Sequence, residues 1–589
     1  MKLPTWAFPV CLLSPLITCA QSISPEIRVD QLGYYPLGKK VAVVLGDNKS
    51  TGFYIIDLSD RDTVFQGRLG NQMKSSYSSL NTRMADFSSL RRPGRFAVLV
   101  PGLGQSYPFQ IEPGVHRSLT IGSLKGFYYQ RASMPLDAAC AGRWARPAGH
   151  PDTAVLIHPS AATSLRPAGT RIHCPGGWYD AGDYNKYIVN SGITMGTLLS
   201  AYEDFPSYFD SLDTHIPESG NLIADILDEI LYNLRWMLSM QDPDDGGVYN
   251  KCTNAAFDGM VMPGITKLPR YVVAKGTAAA LDFAAVMAQA ARVFSRFQKQ
   301  LPGLTDSCLR ASVRAWQWAK RNPSLPYDQF AMNREFKPEI TTGGYGDFHF
   351  TDEWFWAASE LFITTSDPKY YPALEEGFGD SLSVPSWNNV YALGCYTLLR
   401  FDHQWRKNHE HESLRIRDKL VAMADNFLQR ATYNAFGTVM GQSRMDFIWG
   451  SNSVAANQGI LLVNAYLVTK DKKYMQAALV NLEYLMGRNA TGYCFVTGMG
   501  AKSPLHPHHR PSVADGIPDP VPGLMVGGPN PGMQDHCHYD YTDPERAYID
   551  FDGAYASNEI AINWNAPLVY LAAATEALQY EAGFSKKGK

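Results

Sequence analysis

The spacing of apolar residues changes character near residue 115. Between about Glu26 and Ile111 they come in short runs rich in β-branched and aromatic side chains. The clearest are Ile27-Arg28-Val29-Asp30, Ala42-Val43-Val44, Gly52-Phe53-Tyr54-Ile55-Ile56 and Arg95-Phe96-Ala97-Val98-Leu99-Val100. Turn formers such as Gly46-Asp47-Asn48 and Arg92-Pro93-Gly94 separate them. Short strands punctuated in this way predict an all-β sandwich over residues 24–112. Glu112-Pro113-Gly114 closes that module with a short joint.

From about Ser118 the period becomes helical. Between Leu222 and Leu238 the apolar residues fall at 222, 223, 226, 227, 230, 231, 234, 237 and 238, which is one face of a helix. Comparable stretches begin near residues 118, 185, 275, 306, 351, 387, 413, 452, 473 and 559. Loops rich in Gly, Pro and Asp separate them, and long loops in a compact domain are commonly functional. The pattern predicts a helical domain over 115–584 and leaves open how its helices are arranged.

A chain of 589 residues exceeds one ordinary domain, in keeping with this division. Its 53 basic and 56 acidic residues nearly balance, and no basic run marks a nucleic-acid surface. At the start, Lys2 precedes a short apolar run from Ala7 to Ile17 and the small residues Thr18-Cys19-Ala20. This reads as a signal peptide over 1–20, too short to span a membrane as a mature helix. A rival reading makes Cys19 a lipid-bearing N-terminus. Either way the expected location is periplasmic or extracellular, and nothing later in the chain reads as transmembrane. Seven cysteines follow the leader, an odd and scattered set that reads as small buried hydrophobes and not as a disulfide framework.

The chemistry concentrates in two places. Gly176-Gly177-Trp178-Tyr179-Asp180-Ala181-Gly182-Asp183 sets two carboxylates three residues apart among glycines and aromatics. Far downstream, Tyr555-Ala556-Ser557-Asn558-Glu559 supplies another. Separated acids beside aromatic surfaces suit hydrolysis of a glycosidic bond, where one protonates the leaving oxygen and the other acts on water or carbon. Each acid also has a plainer reading. Asp180 and Asp183 precede a helix expected from about Asn185, where Asp is a favoured cap. Glu559 opens an expected helix over 559–580, where a carboxylate suits the dipole.

Three motifs in order decide between these readings. Asp180-Ala181-Gly182-Asp183 with its prefix, Pro507-His508-His509-Arg510, and Asn558-Glu559 preceded by Tyr548 and Asp550 resemble the base, His-x-Arg and acid motifs of glycoside hydrolase family nine. The likeness covers nearly the whole chain after the leader, in the bacterial subgroup with an N-terminal immunoglobulin-like domain. It implies an immunoglobulin-like β-sandwich followed by an all-α (α/α)6 barrel with the cleft at one end. It implies that Asp183 is the general base, that Asp180 holds the same water, and that Glu559 is the general acid. A carboxyl that must donate a proton needs a raised pKa, for which burial and the nearby Asp550 and Asp552 are the expected causes.

By the same likeness His508 and Arg510 contact sugar, and Tyr555, Trp449, Trp387 and Trp564 are subsite aromatics. A ring face suits the CH face of a pyranose, but core packing is an equal claim for any one Trp. Trp354 and Trp356, inside an apolar helix, read as core. His506, His508 and His509 invite zinc, but the spacing is cramped and no Cys or carboxylate sits beside them. A structural zinc common in the subgroup would need ligands where this chain has Ala132 and Gly149, with only His150 kept. No cofactor is expected beyond a possible structural calcium, which an acidic loop such as Asp242-Pro243-Asp244-Asp245 could host, although a solvated surface turn is the leading reading of that loop. The implied function is an inverting endo-β-1,4-glucanase, a monomer acting on cellulose, xyloglucan or mixed-linkage glucan. Alternatives are an exo-acting β-glucosaminidase, a cellobiohydrolase-like enzyme, and a non-catalytic carbohydrate-binding protein.

Overall fold

The computed structural model describes residues 22–587, so the expected signal peptide and Cys19 lie outside the described residues. Ten strands precede the first long helix. They are β1 (Ile27–Arg28), β2 (Gly33–Tyr34), β3 (Val41–Leu45), β4 (Gly52–Asp57), β5 (Thr63–Arg68), β6 (Met73–Lys74), β7 (Asn81–Asp86), β8 (Gly94–Val100), β9 (Gly104–Gln105) and β10 (Phe109–Ile111). They form two sheets, ordered β1-β3-β7-β6 and β2-β10-β8-β4-β5, with β9 paired to β8. Ile27, Val44, Phe53, Ile55, Phe96, Val98 and Phe109 fill the space between the sheets. The polar strands β5 and β7 carry no apolar run, which is why sequence pattern alone does not mark them.

Strand β3 is buried at every position. Ala42 and Val44 face the sandwich core, while Val43 and Leu45 pack with Ala435, Phe436 and Ala490 of the helical domain. A strand covered on both faces reads as a continuous apolar run, as here. Polar contacts extend this interface. Tyr35 donates to Glu576 Oε1 at 2.5 Å, Gln31 Oε1 accepts from the amides of Ala501 and Lys502, and Ser75 and Ser78 donate to Glu545.

Twelve helices of the described residues then alternate outside and inside. They are α1 (Arg117–Tyr129), α2 (Ile188–Asp204), α3 (Asp225–Ser239), α4 (Thr277–Phe294), α5 (Leu304–Arg321), α6 (Thr351–Thr365), α7 (Tyr371–Gly377), α8 (Tyr391–Arg400), α9 (Glu410–Ala431), α10 (Ser451–Thr469), α11 (Lys472–Leu485) and α12 (Ile562–Leu578). The even-numbered six form the inner ring, with α12 on α2, α2 on α4, α4 on α6, α6 on α8 and α10 on α12. Each odd-numbered helix packs outside one of them, as α5 does on α4 and α11 on α10. This is the (α/α)6 barrel, and the sequence shows why each helix takes its layer. Inner α4 and α12 are apolar nearly all round, whereas outer α5 and α9 keep a charged face for water. Residues 277–297 are long and apolar enough to cross a membrane, yet 94% of their most apolar 18-residue stretch is buried in the protein.

One element departs from an all-helical second domain. Strands β11 (Val155–Ile157), β12 (Arg171–Ile172), β13 (Lys186–Tyr187), β14 (Lys251–Asn254) and β15 (Arg270–Val272) form a small sheet, ordered β12-β11-β15-β14-β13. It joins loops at one end of the barrel, and β13 runs directly into α2. All seven described cysteines are free, five of them buried.

Candidate active site

Backbone bonds knit the three motifs together. His508 N donates to Asn558 O at 2.9 Å, Arg510 N to Gly182 O at 3.2 Å, Ile562 N to Asp180 O at 2.9 Å and Gly527 N to Glu559 O at 2.8 Å. Gly182 permits this approach. A Cβ there would stand 2.2 Å from the His508 carbonyl oxygen. Gly177, at φ 77°, lets the chain pass over Trp236. The aromatics between these glycines are anchors: Trp178 is buried and donates its indole N–H to Glu229 at 3.2 Å, and Tyr179 packs on Tyr184.

Asp180 and Asp183 do not cap a helix. Helix α2 starts at Ile188, and its N-cap is Tyr187, with no side-chain cap bond. Both carboxyls are buried and held by side chains. Asp183 Oδ2 accepts from Asn185 Nδ2 at 2.6 Å and from the Tyr187 hydroxyl at 3.1 Å, so Oδ1 is the oxygen left for a water. Asp180 accepts from Asn190 at 2.5 Å on Oδ1 and from the Tyr345 hydroxyl at 2.7 Å on Oδ2. Burial and the charge of Asp183 push Asp180 up to about 8. Asp180 therefore holds its proton into neutral pH, since two adjacent buried carboxyls resist ionising together.

Glu559 is not in the first turn of a long helix. Helix α12 begins at Ile562, and Glu559 is extended at φ −71° and ψ 154°, bridged in parallel to His508. It keeps partial access to solvent. Protein packed around its carboxyl, then Asp183 and Asp180, raise its pKa well above the ordinary glutamate value, against Arg510 and the Gly182 amide. The anionic neighbours are thus the base-motif aspartates and not Asp550 or Asp552. Asp550 instead clamps the loop, accepting from the amides of Leu505 and His506 and from Asn558.

The His-Arg loop separates its members. His508 is half-buried, with Nδ1 against the Asp552 carbonyl at 2.6 Å. His509 is buried between Ser512 and Gln130, and burial beside Arg146 drives its pKa to about 3. His506 is exposed. The three rings do not converge, and no group of three potential ligands that could hold a metal ion occurs among the described residues. Arg510 is buried, donating from Nε to Asp258 O at 2.9 Å and from Nη1 to Gly182 O at 2.7 Å. The zinc position fits no better: Ala132 and Gly149 offer no donor, and His150 is taken by Tyr179 and Asp258.

At 242–245 the acidic loop meets basic side chains. Lys275 bonds Asp242 at 2.7 Å and Asp245 at 2.8 Å, and Arg166 bonds Asp244 at 3.2 Å. Two basic side chains thus pair with all three aspartates of that loop.

Of the expected aromatics, Trp449 is 41% exposed and lies 5.4 Å from Tyr555, whose ring is 5.8 Å from His508. Trp387 is half-buried, edge-on to Tyr345 at 5.3 Å. Trp564 is corrected to a support. It is buried against Gly450 and Gly527, at 9% exposure. Trp356 is fully buried, and Trp354 packs edge-on against Trp316, both as expected.

Sequence reading missed Asn185, Tyr187, Asn190 and Tyr345, the four donors to the aspartates. Tyr345 had a local signal: Gly343-Gly344-Tyr345-Gly346-Asp347 repeats the glycine-aromatic-acid texture of the base motif. Its φ of 48° is uncommon for a residue with a side chain.

Buried carboxyls brought together by loops of an (α/α)6 barrel, two of them with raised pKa values, define a hydrolase of glycosidic bonds. The comparisons agree: residues 117–572 match Glycosyl hydrolase family 9, and residues 22–105 match the Cellulase N-terminal ig-like domain. The chain belongs to glycosyl hydrolase family 9. It is 45% identical over 569 residues to the xyloglucan-specific endo-beta-1,4-glucanase BoGH9A of Bacteroides ovatus, covering 96% of each chain. Endoglucanase D of Acetivibrio thermocellus is 32% identical, over 96% of this chain and 86% of that one. A solved structure of Bacteroides ovatus GH9 superposes with a TM-score of 0.89 at 44% identity, over 94% of this chain and 99% of that one.

Proposed function

We propose that this chain is an inverting endo-β-1,4-glucanase with xyloglucan as its preferred β-glucan. The observation that carries the reading is the contrast between two acids in one cleft. Asp183 receives two hydrogen bonds of the kind a carboxylate accepts, while Glu559 is held protonated by burial and by its anionic neighbours. In the proposed reaction Asp183 Oδ1 takes a proton from a water that attacks the anomeric carbon. Glu559 protonates the departing glycosidic oxygen in the same step. Arg510 then favours the new Glu559 carboxylate, whose charge it already opposes protonating. Asp180, pinned by Asn190 and Tyr345, positions the water. Trp449, Tyr555 and Trp387 offer ring faces along the glucan.

The likeness to the Bacteroides ovatus enzyme supports xyloglucan over unbranched chains. The leader-like residues 1–20 support action in the periplasm or outside the cell. The deciding experiment compares reducing-sugar release and product sizes on xyloglucan, mixed-linkage glucan and carboxymethylcellulose. Rapid chain shortening with highest kcat/KM on xyloglucan is expected. Release of a single small sugar from chain ends would overturn endo action, and no hydrolysis of any β-glucan would overturn the enzyme reading.

A further inference from the structure

Lys251 is a buried charge without a part in the reaction described above. It stands on β14 opposite Tyr187 of β13 in the antiparallel ladder. Its relative exposure is 0%. Its ammonium donates to Gln329 Oε1 at 2.6 Å, to Thr342 Oγ1 at 3.0 Å and to the Gly343 carbonyl at 2.6 Å. Those acceptors use its three N–H bonds, and all are neutral. Nζ also lies 5.4 Å from the centre of the Tyr187 ring and 5.6 Å from that of Tyr327. Burying an ammonium among neutral groups is unfavourable unless a counter-charge is near. Asp183 and Asp180 supply it, each favouring the ammonium form.

The same contacts reach both acids through one loop. Gly343 N donates to the Tyr187 hydroxyl at 3.1 Å, and that hydroxyl donates to Asp183. Two residues on, Tyr345 donates to Asp180. We propose that Lys251 is a positioning residue for hydrolysis, which pins the Thr342–Tyr345 segment onto the two aspartates and balances their charge from beneath. This rests on the glucanase reading above.

The titratable groups facing Lys251 are Asp180 and Asp183 from the base loop, Tyr187 from β13 and Tyr327 from the segment before residues 329–335. Burial lowers the Lys251 pKa to about 7 against the pull of the aspartates, so the ammonium is present on the acid side of neutrality. Removing it disfavours the carboxylate form, and the acid limb of activity must move to higher pH.

The test measures kcat/KM against pH for full-length Lys251→Met, Lys251→Gln and Lys251→Arg on a soluble β-glucan oligosaccharide, with melting temperatures alongside. The neutral variants should lose activity about 10-fold or more and shift the acid limb up by about one pH unit, while Lys251→Arg keeps the wild-type limb. Where Lys251→Met does not fold, Lys251→Gln decides, because its amide can keep contacts to Thr342 and Gly343. A folded neutral variant with the wild-type acid limb overturns the proposal, whatever its kcat. Wild-type enzyme that cleaves no β-glucan overturns the functional reading itself, and this proposal with it.

Discussion

His508 and Glu559 are neighbours in a parallel β-bridge, with His508 N bonded to the Asn558 carbonyl at 2.9 Å. The backbone thus sets the acid beside the loop that carries Arg510, independently of any side-chain contact. Substituting the acid should therefore leave the fold intact. Glu559→Gln and Asp183→Asn should each lower kcat about 10²–10⁴-fold with little change in melting temperature. Steady-state kinetics with circular dichroism checks this, and near wild-type turnover by either variant contradicts the assignment.

Arg510 opposes the raised pKa of Glu559. A positive neighbour favours the carboxylate, so its loss lets the acid hold its proton to higher pH. Arg510→Met should move the alkaline limb of kcat/KM upward even as activity falls. A limb that moves downward would show that Glu559 is not the group titrating there.

Inversion has a direct readout. In the proposed reaction Asp183 delivers the water and no covalent intermediate forms, so the first product from a β-linked chain should be the α-anomer. Time-resolved proton NMR of early products should show it before mutarotation, and an initial β-anomer excludes single displacement.

The interface between sandwich and barrel contains a buried ion pair. His116 Nε2 lies 3.0 Å from Asp30 Oδ2, both side chains fully buried. Burial alone would lower the His116 pKa, but Asp30 and Glu576 outweigh it and the net shift is upward. A group whose folded pKa is raised contributes stability below its unfolded value, near 6.5, and loses that contribution as pH rises through the folded value. His116→Ala should cost about 3–5 kcal/mol at pH 5.5 and less at alkaline pH. Thermal melts of both proteins across pH test this, and a gap that widens with pH contradicts it.

Deleting residues 24–112 should lower the melting temperature of the barrel by about 10 °C or more, since each kcal/mol lost costs a few degrees. It strips Tyr35 from Glu576, Asp30 from His116 and Val43 from Phe436. A truncated enzyme that melts like the whole chain and loses only affinity for polysaccharide would make the sandwich a binding module instead.

Dialysis against EDTA should leave hydrolysis intact at moderate temperature. Lys275 and Arg166 already pair with the aspartates at 242–245, and the proposed proton transfer by Asp183 and Glu559 needs no metal. Prompt loss of activity that added metal restores would contradict this.

Much of this protein is written locally. Runs such as Phe53-Tyr54-Ile55-Ile56 specify strands through β-branched and aromatic residues, and the apolar face from Ile226 to Leu238 specifies α3, because strand and helix periods depend only on near neighbours. The acid-bearing motifs are likewise contiguous, so Asp180, Asp183 and Glu559 are readable as a set. What the sequence could not determine is everything that depends on closing the ring. The donors that hold Asp180 come from α2 and from Tyr345, 165 residues away. The small sheet that carries Tyr187 and Lys251 is made of two- to four-residue strands with no period to detect. Trp564 is polar-tipped and aromatic like Trp449, and only packing beneath Gly450 removes it from the cleft. Which acid keeps its proton was decided last, by burial and by the nearness of other charges. Both are properties of distance in space, and residue order along the chain does not carry them.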